Sequence, residues 1–245
     1  MPDRLFSEPS LAALYDLFSP SDRRSDFDFY IPFVMSARAV LDVGCGTGAL
    51  LHRARESGHC GRLCGLDPAA GMLEQARKRS DIEWIPGDLG SVRFDRDFDL
   101  VVMTGHAFQV FVEDDDLRVA LAAIRSALTN EGRFAFETRN PLIREWERWI
   151  PANTVEITDG SGSVVRMVRE VEKVEGDLIS FTHTFSGPNW DRPQVSRSAL
   201  RFLGADSLSA FLSEAGFKIE EQYGDWDRQP LTATSPEIIT FARRR

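Results

Sequence analysis

Three glycines at alternate positions follow an acid in the run Val40-Leu41-Asp42-Val43-Gly44-Cys45-Gly46-Thr47-Gly48. Glycine lets the backbone turn tightly and come close to a ligand where a Cβ would clash. A helix opening near Gly48 would point unpaired N–H groups at that ligand. Asp42 stands two positions before the first glycine. A carboxylate there repels a diphosphate and attracts a ligand that carries an ammonium or a sulfonium. Asp67 closes the apolar run Arg62-Leu63-Cys64-Gly65-Leu66, nineteen positions after Gly48. That is close to the spacing at which a second-strand acid reaches ribose hydroxyls; as a plain alternative, Asp67 caps the helix that begins near Ala69. His106 follows a fourth apolar run and can take a proton from an acceptor near neutral pH, orient a substrate, or bond a backbone carbonyl.

These residues need strands that end where they stand. The pattern from 38 to 138 is strand–helix repeated, with strands expected at 39–43, 62–66, 82–85, 98–103 and 132–137 and helices at 47–57, 69–79 and 114–129. Such alternation implies a parallel sheet with helices on both faces, and ligands bind at the carboxyl ends of its strands where strand order reverses. Asp42 to Gly48, Asp67, Asp88 and Thr104 to His106 all fall at such ends. Upstream, one helix is expected over 8–19, with Leu11, Leu14, Tyr15 and Phe18 on a face, and a second over 25–36. Residues 153–203 change character: 164–168 and 178–185 alternate like antiparallel strands around a Gly176-Asp177 turn. A helix from Ser207 to a glycine cap at Gly216 and two strands, 217–221 and 237–242, close the chain.

At Val40–Gly48, at Gly65-Leu66-Asp67-Pro68 and at Ile85-Pro86-Gly87-Asp88-Leu89, the chain resembles the class I S-adenosylmethionine-dependent methyltransferases. The resemblance covers 10–138 and, less closely, the tail from about 199. It implies an α/β, Rossmann-like, mostly parallel seven-stranded sheet whose last strand is antiparallel, with a small antiparallel β insertion capping the active site. The expected divisions are 1–138 (N-terminal helices and cofactor-binding core), 139–203 (β-rich cap) and 204–245 (the helix and strands that complete the sheet). It implies S-adenosylmethionine as cofactor, S-adenosylhomocysteine as product, and a cofactor site of Tyr15, Asp42, Gly44, Cys45, Gly46, Gly48, Asp67, Pro68, Met72, Asp88, Leu89 and Thr104. In that family an N-terminal Tyr-Asp pair, here Tyr15-Asp16, often lies over the cofactor; Tyr15 is otherwise a packing residue. An acid placed like Asp88 accepts from the adenine amine, and the next residue, Leu89, offers its N–H to the ring. Met72 packs on the adenine edge or in the core. His106 is the candidate catalytic group. Tyr30, Arg139, Trp146, His183 and Trp190 are candidate acceptor contacts, each set against ordinary packing; Arg139 would suit a carboxylate. The loop after the fourth strand lacks the Asn/Asp-Pro-Pro-Tyr motif of enzymes that methylate amide or exocyclic amine nitrogens in polynucleotides and glutamine side chains.

With 245 residues and 42% apolar content, the chain can bury one α/β domain with an insertion. A net charge of −9 argues against a nucleic-acid partner. A small-molecule acceptor is expected, with no membrane partner, and a monomer or homodimer. No apolar run approaches the ~20 residues of a membrane span. Three cysteines and no signal peptide fit a reducing cytoplasm. No metal site is expected: His59, Cys60 and Cys64 lack a completing cluster, and Glu113 to Asp116, consecutive on a helix, point in different directions. Two rival functions follow from the same residues. A nicotinamide-dependent oxidoreductase would want an acid-free first strand end and a Gly-x-Gly-x-x-Gly/Ala pattern. A cofactor-binding interaction protein would keep the pocket without catalysis.

Overall fold

The computed structural model describes residues 2–245. Its N-terminal segment forms three single-turn helices, α1 (Arg4–Ser7), α2 (Pro9–Ala12) and α3 (Tyr15–Phe18), and then a longer helix, α4 (Ser25–Ser36). The expected single helix over 8–19 is therefore broken: Glu8 is extended between α1 and α2, and Pro9 can only open a helical turn. The break lets the segment face two ways. Leu5 and Leu11 pack on Phe185, whereas Ala12 packs on Ala69 and Met72, with Phe6 and Tyr15 alongside.

The main sheet holds β1 (Ala39–Val43), β2 (Arg62–Asp67), β3 (Glu83–Pro86), β4 (Phe98–Met103) and β5 (Leu128–Arg139). The helices between them are α5 (Ala49–Glu56), α6 (Ala70–Ala76) and α7 (Asp114–Ala127). A second sheet follows, with β6 (Val155–Thr158), β7 (Val164–Glu175), β8 (Leu178–Ser186) and β9 (Gln194–Arg201). Helix α8 (Ala205–Glu214), β10 (Phe217–Tyr223) and β11 (Glu237–Arg244) return to the main sheet. Its strand order is β10-β11-β5-β4-β1-β2-β3. β1 to β5 run parallel, and β11 runs antiparallel to β5 and β10.

Each strand reads as its environment demands. Val40, Leu41 and Val43 are buried between helices on both faces. On α7, Leu117, Ala120, Leu121, Ile124 and Ala127 are buried at helical spacing, and Asp114 to Asp116 complement the positive end of its dipole. The second sheet has four antiparallel strands, two more than the stretches singled out by alternation. Its extra strands escape a search for apolar alternation because the buried groups of β9 include Ser196 and Ser198. Ser196 Oγ accepts from Leu5 N at 2.8 Å and Ser198 Oγ donates to Asp3 Oδ2 at 2.5 Å, so these hydroxyls fasten the N-terminal segment to the sheet. Trp146, Trp149, Ile179, Phe181 and Phe202 form its small core.

The chain leaves β1 for β2 and β3 on one side and returns for β4 and β5 on the other. The carboxyl end of β1 is thus a point where strand order reverses. Trp84 of β3 shapes the turn there. A Cβ on Gly48 would stand 2.3 Å from the Trp84 ring, and one on Gly65 2.5 Å from it. Gly48 also holds φ +76°. Gly48→Ala should cost about 2–4 kcal/mol, from left-handed backbone plus overpacking. Urea unfolding of Gly48→Ala, Trp84→Leu and the double variant checks this; the double variant should be more stable than the two single losses add to.

Candidate active site

The glycine turn is tied to its neighbours by backbone bonds. Gly44 N donates to Leu66 O at 2.8 Å. Gly46 N donates to Asp67 Oδ2 and Ala69 N to Asp67 Oδ1, each at 2.8 Å. Asp67 therefore joins the turn after β1 to the start of α6, and burial raises its pKa. The three glycines serve different ends. A Cβ on Gly44 would lie 2.9 Å from Ala107 Cβ, and Gly48 lies against Trp84. A Cβ on Gly46 would meet nothing within 4 Å; that backbone faces open space.

The open space is a hollow of about 400 Å³, including the part continuous with solvent, lined among others by Tyr15, Arg24, Asp42, Gly46, Thr104 and Gly105. Asp16 Oδ1 accepts from Thr47 Oγ1 at 2.7 Å, which docks α3 on the turn and sets Tyr15 at the rim. Arg24 enters from the other side, its guanidinium paired with both oxygens of Asp26 and stacked over Phe27 at 4.2 Å. A Cβ on Gly105 would stand 3.1 Å from Arg24 Nη2, so that glycine makes room for the arginine. Asp42 is 1% exposed, and its Oδ1 has no hydrogen-bond partner among the described residues. Burial, then the nearby Asp67, push its pKa up to about 8, against the pull of Arg24. A hollow with a buried, unsatisfied carboxylate and an arginine can hold a zwitterionic amino-acid group: ammonium on Asp42, carboxylate on Arg24.

Beside the hollow lies a second acidic pair. Glu137, at the end of β5 and fully buried, accepts from Tyr30 Oη at 2.7 Å and from His106 N at 2.8 Å. The second bond holds His106 in its left-handed conformation, φ +63°. His106 Nε2 lies 2.9 Å from Glu237 Oε2. Burial, then the arginines 139, 24 and 169, hold the imidazole well below its ordinary value. Burial, then Glu137, lift Glu237 to about 9. Burial, then Asp26, lift Glu137 to about 7.

The other residues singled out by sequence fall in three places. Thr104 and the Cys45 backbone turn line the hollow with Asp42, Gly44 and Gly46. Asp88 and Leu89 stand just beyond β3, whose Pro86 lies in register with Asp67. Asp88 is exposed and accepts from Gly90 N and Ser91 N at 3.0 and 2.9 Å, Leu89 is buried in the main core, and Pro68 is exposed. Met72 packs on Ala12 and Ala69 beside Tyr15. Arg139 pairs with Glu145 at 2.6 Å, and His183 accepts from Arg169 Nε at 3.0 Å.

Three candidate acceptor contacts have packing partners of their own, and Trp146 also lines a separate hollow with Arg144 and Trp149. Tyr30 is fully buried, its ring against Phe29 and Trp226 and its hydroxyl spent on Glu137. Trp190 packs with Leu5 and Leu11 on the N-terminal segment. Trp146 is in the core of the second sheet, edge-on to Phe202. Arg24, Glu137, Glu237 and Arg169 went unnoticed. One signal for Glu137 was available: it interrupts the apolar run Phe134-Ala135-Phe136 at a strand end.

Among the described residues no group of three or more His, Cys, Asp or Glu side chains could hold a metal. Asp114 pairs with Arg201 and Asp115 with Arg118, while His59 Nε2 lies 2.8 Å from Ala37 O.

A family profile described as "Methyltransferase domain" matches residues 40–132. The cypemycin N-terminal methyltransferase of a Streptomyces species is 26% identical over 86% of this chain and 85% of its own. Aklanonic acid methyltransferase DauC of Streptomyces sp. strain C5 is 36% identical over 53% and 58% respectively. The crystal structure of an S-adenosylmethionine-dependent methyltransferase from Clostridium acetobutylicum ATCC 824 superposes with a TM-score of 0.75 at 18% identity, over 96% of this chain and 98% of that one; at that identity it speaks for the fold. Residues 40–132 carry a methyltransferase domain, and over most of its length the chain is similar to class I S-adenosylmethionine-dependent methyltransferases. It is an enzyme, and its cofactor is S-adenosylmethionine.

The three raised acids make the methyltransferase's stability depend on pH. Their ordinary values are 3.8 for Asp42 and 4.5 for Glu137 and Glu237, against about 8, 7 and 9 in the fold. Above pH 5 the unfolded chain has released these protons while the folded chain still holds them. Stability contributed by these groups therefore falls as pH rises, and is lost once pH passes the folded values. Thermal unfolding of the ligand-free protein between pH 5 and 9 should show that decline. Asp42→Asn should flatten it and be more stable than wild type at pH 8.5, by on the order of 2 kcal/mol.

Proposed function

We propose that this methyltransferase acts on a small-molecule acceptor bound between the cofactor hollow and the second sheet. The observation that carries the reading is the unpartnered Oδ1 of Asp42, shut from water and facing a hollow that also presents Arg24. Bound there, S-adenosylmethionine supplies an electrophilic methyl on a sulfonium with a good leaving group. The chain's own task is alignment and exclusion of water, worth ~7–11 kcal/mol when geometry is near-attack. Asp42 takes the ammonium of the cofactor and Arg24 its carboxylate. Asp67 takes the ribose hydroxyls with lone pairs left over from its two backbone bonds. Asp88 and the Leu89 N–H meet adenine beyond the end of β3. Tyr15 closes the methionine end.

His106 takes the acceptor's proton. Its Nε2 faces Glu237, which leaves Nδ1 for the acceptor, and the depressed pKa keeps the ring neutral, hence able to accept, above pH 6.5. Once ionised, Glu237 takes the Nε2–H, leaves Nδ1 bare and steadies the imidazolium as it forms; because burial and Glu137 lift it to about 9 in the free protein, methyl transfer that uses His106 should quicken as pH rises toward that value. The three free cysteines suit a reducing compartment such as the cytoplasm; among the described residues no helix is long and apolar enough to cross a membrane.

Calorimetry with S-adenosylhomocysteine should show binding that Asp42→Asn weakens by about 2 kcal/mol or more, because it leaves a buried ammonium unmatched. Asp67→Ala should weaken it clearly as well; unchanged affinity in either variant rejects that residue's role. Tighter binding of NAD than of S-adenosylhomocysteine would reject the whole assignment of the hollow. Once an acceptor is turned over, His106→Ala should lower kcat by about 10²–10⁴-fold with product affinity kept. A fall of less than tenfold would remove the proton-transfer role.

A further inference from the structure

Arg169, on β7, stands opposite His183 of β8. Its Nε donates to His183 Nε2 at 3.0 Å, and its guanidinium lies over the Trp149 ring at 4.9 Å and near Phe181 at 5.9 Å. His183 is buried and neutral, held down to about 3 by that burial and by the arginine itself, so it brings no negative charge. Among the described residues no carboxylate pairs with Arg169, and its two terminal nitrogens have no protein partner. They are not sealed in the interior either, since they are absent from the buried unbonded atoms.

The neighbour is a second arginine that is already matched. Arg139 shares the Trp149 ring at 5.6 Å, pairs with Glu145 at 2.6 Å and donates to Gln109 Oε1 at 2.9 Å. With Arg139 and Glu145 cancelling, Arg169 is the surplus positive charge. Arg139, across the same Trp149 ring, lies in register with Glu237, which meets His106 Nε2 at 2.9 Å, so the two arginines lead from the second sheet toward His106. A guanidinium fork held over an indole with both terminal nitrogens free suits a planar, two-oxygen partner.

We infer that the methyl acceptor is a monoanionic carboxylic acid whose carboxylate binds the two free nitrogens of Arg169, with its nucleophilic atom directed past His106 toward the cofactor. This rests on the small-molecule reading above and narrows it to a substrate class. One surplus charge, with Glu145 already paired to the neighbouring Arg139, suits a monoanion and opposes a phosphate dianion.

The test uses the intact protein saturated with S-adenosylhomocysteine, whose binding is measured first. Benzoate, benzamide and inorganic phosphate are then titrated and followed by Trp149 fluorescence, with Trp149→Phe as the control for its signal, and by calorimetry. Benzoate should bind, benzamide and phosphate should not, and Arg169→Leu should weaken benzoate about 30-fold or more, with Arg169→Lys recovering part of the loss. S-adenosylhomocysteine affinity should stay the same in both variants. Thermal unfolding without ligand separates a structural role: Arg169→Leu should melt close to wild type, since Arg169 is half-exposed and the leucine keeps apolar contact with Trp149 and Phe181. Equal benzoate binding in wild type and Arg169→Leu, equal binding of benzamide, a preference for phosphate, or no benzoate binding at all overturns the carboxylate assignment. Failure of wild type to bind S-adenosylhomocysteine strikes the parent reading instead.

Discussion

A carboxylate without a partner, at the dead end of the central strand, is the constraint around which the rest of this molecule is arranged. Asp42 sits between β2 and β4 in register with Gly65 and Val102, buried and with one oxygen unpartnered among the described residues. Such a group is tolerated in the free protein by keeping its proton, and becomes useful when a cation enters. The glycine turn, Asp67 and the N-terminal segment each complete the space that cation would fill. The segment reaches it because hydroxyls of β9 hold its start and Thr47 holds its middle through Asp16. The second sheet thereby fixes the piece of chain that carries Tyr15.

The charges beyond Asp42 alternate in a way that local burial alone would not favour. Asp26 offsets Arg24, Glu145 offsets Arg139, and Glu237 faces His106. Glu237 and Arg139 are themselves register partners across β11 and β5. Glu137 spends its oxygens on Tyr30 and on the His106 backbone, joining α4, the loop after β4 and the end of β5 at one carboxylate. Removing Tyr30 would leave the Glu137 carboxyl buried and short of a donor, which is more costly than the bond is stabilising. The loop that presents His106 in a left-handed conformation is tied into this network through its backbone N–H and onto the apolar core through Phe108.

Much of the frame was legible in the residues because it depends on local patterns. Strands buried on both faces read as short apolar runs, α7 reads by its spacing, and Asp42 and Asp67 stand out as acids that end such runs. The glycines were legible as a turn but not in their division of labour, since Trp84 comes from a strand 36 positions after Gly48. Arg24, Glu137, Glu237 and Arg169 were not legible as a site: each is an ordinary charged residue in sequence, and only the crossing of β5, β11, β7 and the N-terminal segment gathers them. Nor were the packing partners of Tyr30, Trp146 and Trp190 legible: each joins a separate apolar cluster that only the folded chain assembles.

The protonation of Asp42 is the most direct quantity to measure. Carbon-13 NMR of the aspartate carboxyls, with Asp42→Asn to assign the signal, follows it through pH in the free protein and with S-adenosylhomocysteine bound. The account predicts a carboxyl that titrates near 8 when free and is ionised across the neutral range once the cofactor's ammonium is beside it. A carboxyl that titrates near 4 in the free protein, or one that does not respond to the bound product, would contradict it.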